Sequence, residues 1–331
     1  MRTAILMPDN LIRHQFITPE VARRFEELGP VTYNQGGYEP ETIKALLADC
    51  DICVTGWGAI CLDEAILSTA KNLKFVVHTG GTVATITSDY LYDRGIRVLS
   101  GNDIMAEGVA ESTLAYIFAG LKQISFYNGL VQGGGWRPAG AFSPGLMYSN
   151  VGLVGFGAIA RYLVPMLQPF NVNIRVYDPF FSWDKYDNVH GVEPVGTMEE
   201  VFASSDVVSL HLAQRPETYH IIGKDMLGLL KDGALLVNTA RGTVIDEDAL
   251  ADELATGRIS AVLDVFHQEP LALDSRLRGM DNCVLIPHMA GHVGGRYEMA
   301  SLALLDDLER FINGQPLEYE ISREYAGKMT V

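Results

Sequence analysis

Residues 151–160 read Val-Gly-Leu-Val-Gly-Phe-Gly-Ala-Ile-Ala, an apolar run of strand character that passes through two closely spaced glycines into a helical stretch. Gly155 would make the tight turn, Gly157 would let a ligand approach the backbone, and a pyrophosphate would sit at the positive helix N-terminus formed by Ala158 and Ile159. Ala160, in place of a third glycine, still permits close helix-to-strand packing. A second strand-like run, 173–177, ends at Asp178, 21 residues after Gly157, where a carboxylate can accept from the adenine ribose hydroxyls. Asp178 would repel a 2′-phosphate and Pro179 supplies no cation, so the expected cofactor is NAD, with NADP less favoured.

The turn opens a βαβ series with strand candidates at 151–154, 174–177, 207–210, 235–238, 261–265 and 284–286, six strands that suit a dinucleotide-binding sheet. A similar rhythm precedes it. Apolar runs at 4–7, 31–33, 52–54 and 75–77 alternate with amphipathic stretches at 19–28, 41–48, 62–70 and 87–94, implying a second parallel sheet covered by helices. Between the two lies a long helical segment, 104–130, followed by a glycine-rich stretch, Gly133-Gly134-Gly135-Trp136-Arg137-Pro138. Leu302, Leu305, Leu308 and Phe311 mark a final helix. The fold class is therefore α/β, with two doubly wound parallel-sheet domains, and 331 residues suffice for both.

With 41 Asp and Glu against 25 Lys and Arg, the formal charge is −16, the wrong balance for gripping nucleic acid or an anionic membrane surface. A small anion remains admissible, because one arginine or a ring of backbone N–H groups can bind it inside an acidic shell. Four cysteines are too few for a disulfide framework in a chain of this length, and the apolar start is cut short by Pro8; a cytoplasmic protein is expected. Cys50-x-x-Cys53 has no second pair to complete a metal site. It reads as structural, its two thiols facing opposite sides of a strand. No metal is expected.

Three segments fall at the C-terminal ends of later strands, where open α/β sheets bind their ligands: Val237-Asn238-Thr239-Ala240-Arg241-Gly242, Leu263-Asp264-Val265-Phe266-His267-Gln268-Glu269-Pro270, and Ile286-Pro287-His288-Met289-Ala290-Gly291. Together with the glycine turn, in this order and spacing, they make the chain resemble the D-isomer-specific 2-hydroxyacid dehydrogenase family along nearly its whole length. The resemblance implies an NAD-dependent oxidoreductase interconverting a 2-keto acid and its (R)-2-hydroxy acid. Reducing the carbonyl places negative charge on its oxygen, so the site needs a general acid and a fixed cation. By motif, His288 would be the acid/base, Glu269 would orient its ring, and Arg241 would hold the substrate through its planar fork. Asp264 would take the nicotinamide carboxamide. The cofactor-facing set implied is Gly155, Gly157, Ala158, Ile159, Asp178, His211, Thr218, Ala240, Arg241, Asp264, His288 and Gly291. Four further histidines, His211, His220, His267 and His292, sit near ligand-facing loops, while His14 and His190 read as surface residues.

The family's substrate-carboxylate loop is glycine-rich and ends in acids; here it reads His78-Thr79-Gly80-Gly81-Thr82-Val83-Ala84-Thr85-Ile86-Thr87. Thr82 stands for a glycine, and Ala84 and Thr87 stand for the acids. Gly80, Gly81 and Thr82 could still offer main-chain N–H groups, joined in the substrate site by Arg241, His288 and Trp57, the last as the first candidate for an apolar wall; Met105, His292 and Tyr297 are further candidates, and all four also read as packing residues. Met105 also replaces a frequent asparagine. The family layout implies a discontinuous flavodoxin-like substrate domain, 1–103 with 298–331, an inserted Rossmann NAD-binding domain, 104–297, a cleft between them, and a homodimer through an arm in residues 120–148. Two other functions on this scaffold are an NAD(H)-sensing binding protein resembling the C-terminal-binding protein corepressors, and a formate or phosphite dehydrogenase.

Overall fold

Short strands that are apolar along their whole length bury both faces, and in the computed structural model of the chain, which describes residues 1–183 and 191–331, they assemble into two wholly parallel sheets. The first contains β1 (Thr3–Ile5), β2 (Val31–Tyr33), β3 (Ile52–Thr55), β4 (Phe75–His78) and β5 (Arg97–Ser100) in the order β2-β1-β3-β4-β5. The second contains β6 (Asn150–Val154), β7 (Asn173–Tyr177), β8 (Val192–Pro194), β9 (Val207–Leu210), β10 (Leu235–Asn238), β11 (Ser260–Leu263) and β12 (Cys283–Leu285) in the order β12-β11-β10-β9-β6-β7-β8. The chain divides into two compact units, Met1–Ala106 with Val293–Val331, and Glu107–His292. His190 lies outside the described residues.

Each sheet carries an apolar layer on either face. In the first unit, Ile43, Leu47, Leu67 and Leu91 cover one side, while Phe16, Phe25, Leu304 and Leu308 cover the other. In the second, Leu163, Val164 and Leu167 of the helix Ala158–Leu167 pack with Ile117, and Val201, Phe202, Leu250 and Leu254 line the opposite face. At roughly 2 kcal/mol for each large apolar side chain removed from water, these layers are the main stabilising term.

Two strands escape the sequence reading. β5 offers only Val98 and Leu99 between polar neighbours, and β8 is a half-exposed edge strand ending in Pro194; neither presents an apolar run. Among the described residues the second sheet thus has seven strands, not six. The expected single helix over 104–130 is two, Asn102–Leu121 and Ile124–Gln132, broken where Gln123 adopts φ 49. Helix Asn102–Leu121 is by length and composition alone able to span a membrane, yet Ala110, Ile117 and Leu121 are buried in the second unit's core. The cysteine reading also changes: Cys50 and Cys53 are both buried in the same core layer. Strand alternation does not apply between them, because Cys50 precedes the start of β3.

Candidate functional site

The second unit binds its candidate cofactor site to the point where strand order reverses, between β6 and β9. At Gly155, φ is +95 and a Cβ would come within 2.6 Å of the His211 carbonyl oxygen, so only glycine lets the chain leave β6 this way. Gly157 is different. Its φ is −73 and a Cβ there would meet nothing within 4 Å, so protein packing does not require glycine, and the open space is what a closely approaching ligand needs. The ten-residue helix that follows has no side-chain cap at its N-terminus, leaving first-turn N–H groups for an anion. Asp178 closes the far side: one carboxylate oxygen accepts from Phe156 N at 2.7 Å and the other from Phe180 N at 2.8 Å. Each oxygen keeps a second lone pair. These features fit a dinucleotide.

Around this turn, His211 has both ring nitrogens buried without a partner, and burial lowers its pKa to about 4; it is a neutral group. Thr218 is committed to its own loop, donating to Ala213 O at 2.7 Å and accepting from Arg215 N. Ala240 is buried, and its N–H donates to Asn238 Oδ1. A Cβ at Gly291 would meet Val109 at ordinary contact distance, 3.8 Å.

The three motif segments leave neighbouring strands β10, β11 and β12 in register, Asn238 beside Leu263 beside Leu285, which puts Arg241, Asp264, Glu269 and His288 at one sheet end. Gly242 is obligatory because a Cβ there would lie 1.8 Å from the Phe266 carbonyl carbon. His288 occupies left-handed backbone space, φ 55, a costly conformation for a residue with a Cβ. Two groups hold it. Its Nδ1 lies 2.7 Å from Glu269 Oε2, while Glu269 Oε1 accepts from Phe266 N at 3.1 Å. Because the carboxylate accepts, Nδ1 carries the proton and Nε2 is the ring atom left for chemistry. Asp264, fully buried, accepts from Met289 N at 2.8 Å, Ala290 N at 3.0 Å and Tyr116 Oη at 3.2 Å. Its carboxylate therefore braces the turn that carries His288, an office the motif reading did not assign to it. Arg241 donates to Ala240 O at 2.6 Å; burial lowers its pKa, and the nearby Glu269 charge opposes that. A cavity of about 510 Å³ lies beside Glu269 and His288, walled by Phe266, Leu285 and Pro287.

In the first unit, Trp57 is partly exposed and stands edge-on to Phe16 and Tyr297, at 5.4 and 5.5 Å between ring centres. It lies next to Gly80: a Cβ there would be 2.7 Å from both Trp57 Nε1 and His78 Nε2. His78, singled out by no motif, is buried, shares a hydrogen bond of 3.0 Å with Thr55 Oγ1, and has its pKa lowered to about 4 by burial. Met105 and Tyr297, expected as secondary wall residues, are core residues at 6% and 7% exposure; an apolar side chain on the inner face of a helix packs before it recognises anything. His292 is exposed.

Residues 114–290 match the model of the D-isomer specific 2-hydroxyacid dehydrogenase, NAD binding domain, more than half of the chain. The chain belongs to this family. Among curated dehydrogenases of the family, a glyoxylate reductase of Thermofilum pendens is 34% identical over 73% of this chain and 73% of its own. A D-3-phosphoglycerate dehydrogenase of Methanocaldococcus jannaschii is 29% identical over 92% of this chain and 58% of its own. The chain spans about half the length of the D-3-phosphoglycerate dehydrogenases it matches. The crystal structure of a glyoxylate reductase from Paecilomyes thermophila shares the fold, with a TM-score of 0.81 at 24% identity, covering 98% of this chain and 99% of that one.

Within this family member, the motifs do not disclose what secures them. One face of helix Asn102–Leu121 does so with three hydroxyls: Ser112 Oγ donates to Ala290 O at 2.9 Å, Thr113 Oγ1 pairs with Thr239 Oγ1 at 3.0 Å, and Tyr116 Oη reaches Asp264. Each motif segment receives one bond. The signal in the sequence is hydroxyl residues at i, i+1 and i+4 in the mainly apolar second half of the helix.

Proposed function

We propose that the protein is an NAD-dependent oxidoreductase that interconverts a 2-keto acid and its (R)-2-hydroxy acid. The observation that carries the reading is the 2.7 Å pairing of His288 Nδ1 with Glu269, built into the same sheet end as Arg241. Gly155, Gly157 and the uncapped N–H groups at Ala158 and Ile159 would hold the cofactor's pyrophosphate, and Asp178 its adenine ribose. Ala240, Gly291, His211 and Thr218 would border the same groove. Of the roughly four acceptor positions on Asp264, three are occupied, which leaves one for the nicotinamide carboxamide. When bound, NADH supplies the hydride. His288 hands the Nε2 proton to the forming alkoxide and retrieves it in the oxidative direction, with Glu269 fixing the ring and balancing the imidazolium. Arg241, already desolvated, presents its fork to the substrate's carboxylate and carbonyl oxygen, where a fixed cation lowers the barrier most. In the first unit, Gly81 and Thr82 offer N–H groups to a carboxylate, and Trp57 offers an apolar wall.

Ile124, Val131, Trp136, Phe142, Met147 and Tyr148 are exposed apolar residues along one stretch of chain, which supports a homodimer arm. Four free cysteines suit a reducing cytoplasm. The deciding experiment follows NADH absorbance against a panel of glyoxylate, hydroxypyruvate, pyruvate, branched and aromatic 2-keto acids. Turnover with at least one is expected; tight NADH binding with no turnover on any would overturn the assignment.

A further inference from the structure

The loop that departs from its family's pattern is braced by side chains of a different kind. Ser100, the last residue of β5, places its hydroxyl 2.6 Å from Gly81 O and 3.2 Å from Gly80 O, and accepts from Asn102 N at 3.2 Å. Its single proton is therefore shared between two successive loop carbonyls. Gly101 permits that approach, since a Cβ there would fall 2.6 Å from Thr79 O and 3.3 Å from Gly80 O. The two peptide units concerned are trans, so with both carbonyls turned toward Ser100 the N–H groups of Gly81 and Thr82 point the opposite way. Neither donates to another backbone group. The Thr82 hydroxyl donates to Thr330 O at 2.6 Å and accepts from Ala84 N at 3.3 Å. Met329, next to Thr330, is buried in the first unit's core, so this anchor is firm.

We infer that Ser100 and Thr82 are positioning residues that hold two adjacent peptide planes with their N–H groups outward, as the receptor for the substrate carboxylate. The inference rests on the proposed dehydrogenase reading. It also explains how a loop without the family's second glycine and acids keeps its shape: two hydroxyls replace them. Two parallel N–H donors match the two oxygens of a carboxylate, and any loosening of the planes costs binding of that anion without touching the proton or hydride chemistry.

The test takes the keto acid best reduced by the wild-type protein and measures KM, kcat and NADH affinity for Ser100→Ala, Ser100→Thr, Thr82→Val and Thr82→Ser. Ser100→Ala and Thr82→Val should each raise KM about tenfold, the loss of one hydrogen bond to the loop, with kcat and NADH affinity little changed. Ser100→Thr and Thr82→Ser should restore KM. A KM unmoved in both hydroxyl-less variants, with only thermal stability lowered, would show a merely structural role and overturn the inference. A wild-type protein that binds NADH yet reduces no keto acid would instead sink the functional reading, and this inference with it.

Discussion

The two sheets are built alike, all parallel with helices on both faces, yet they equip their ligand-facing ends differently. The second sheet ends in charge: Arg241, Asp264, Glu269 and His288 lie in the segments that follow three adjacent strands, held by carboxylate-to-amide and carboxylate-to-imidazole bonds. The first ends in neutral groups: Gly80, Gly81, the Ser100 and Thr82 hydroxyls, Trp57, and a histidine kept uncharged by burial. The proposed function accounts for the difference: moving a proton and meeting a developing charge requires ionisable side chains at set places, whereas holding a finished carboxylate needs only free N–H groups.

The comparison breaks most sharply at His288. Replacing it by Ala should lower kcat by about 10²–10⁴ while leaving NADH affinity almost unchanged, as proton transfer predicts; a fall of less than tenfold would mean the ionisable end is not the reacting end. Arg241→Gln should cost about 10²–10³ in kcat/KM, the magnitude for removing one charge-stabilising donor, and the loss should recur for every keto acid in the panel because the carboxylate is common to all.

A pH titration of stability treats the two sheets alike. His78 and His211 each have a folded pKa near 4, set by burial, against an ordinary value of 6.5. Between those values the unfolded chain binds more protons, so stability should fall as pH drops through this window, by about 3 kcal/mol per histidine once both states are protonated. His78→Gln and His211→Gln should each flatten the dependence in denaturant melts at pH 7 and pH 4.5; an unchanged slope would mean that neither ring resists protonation. The smallest effect is expected at Tyr116→Phe, which leaves a buried carboxylate one donor short. A loss of about 1–2 kcal/mol is expected, with a raised melting temperature ruling the bond out as a brace.

How far each end could be foreseen follows the same division. Side-chain chemistry leaves names in a sequence: Asn-Thr-Ala-Arg-Gly, Leu-Asp-Val-Phe and Pro-His-Met-Ala-Gly point to Arg241, Asp264 and His288, and Gly155 and Gly157 to the turn. Backbone chemistry does not. Ser100 sits in a short strand that carried too little apolar pattern to be seen, and its hydroxyl acquires meaning only because β5 lies beside β4 and delivers it under the loop. Tyr116 likewise looked like one more apolar position on a long helix. Met105 and Tyr297 took the packing alternative that the sequence also allowed, since both lie in a core layer of the first unit.

Periodicity and glycine placement thus determined on their own that this chain makes two parallel α/β sheets and that its glycine turn suits NAD, while charge balance supplied the expectation of small-anion partners. Those properties depend on neighbours a few residues apart or on the whole composition, both of which a sequence displays. Only the tertiary structure decided that Asp264 braces the His288 turn, that three hydroxyls of one helix secure three separate motifs, and that Ser100 and Thr82 turn a divergent loop outward. Each of those is a hydrogen bond between residues 19 to 248 positions apart, and which donor meets which acceptor over such distances is set by strand order and register.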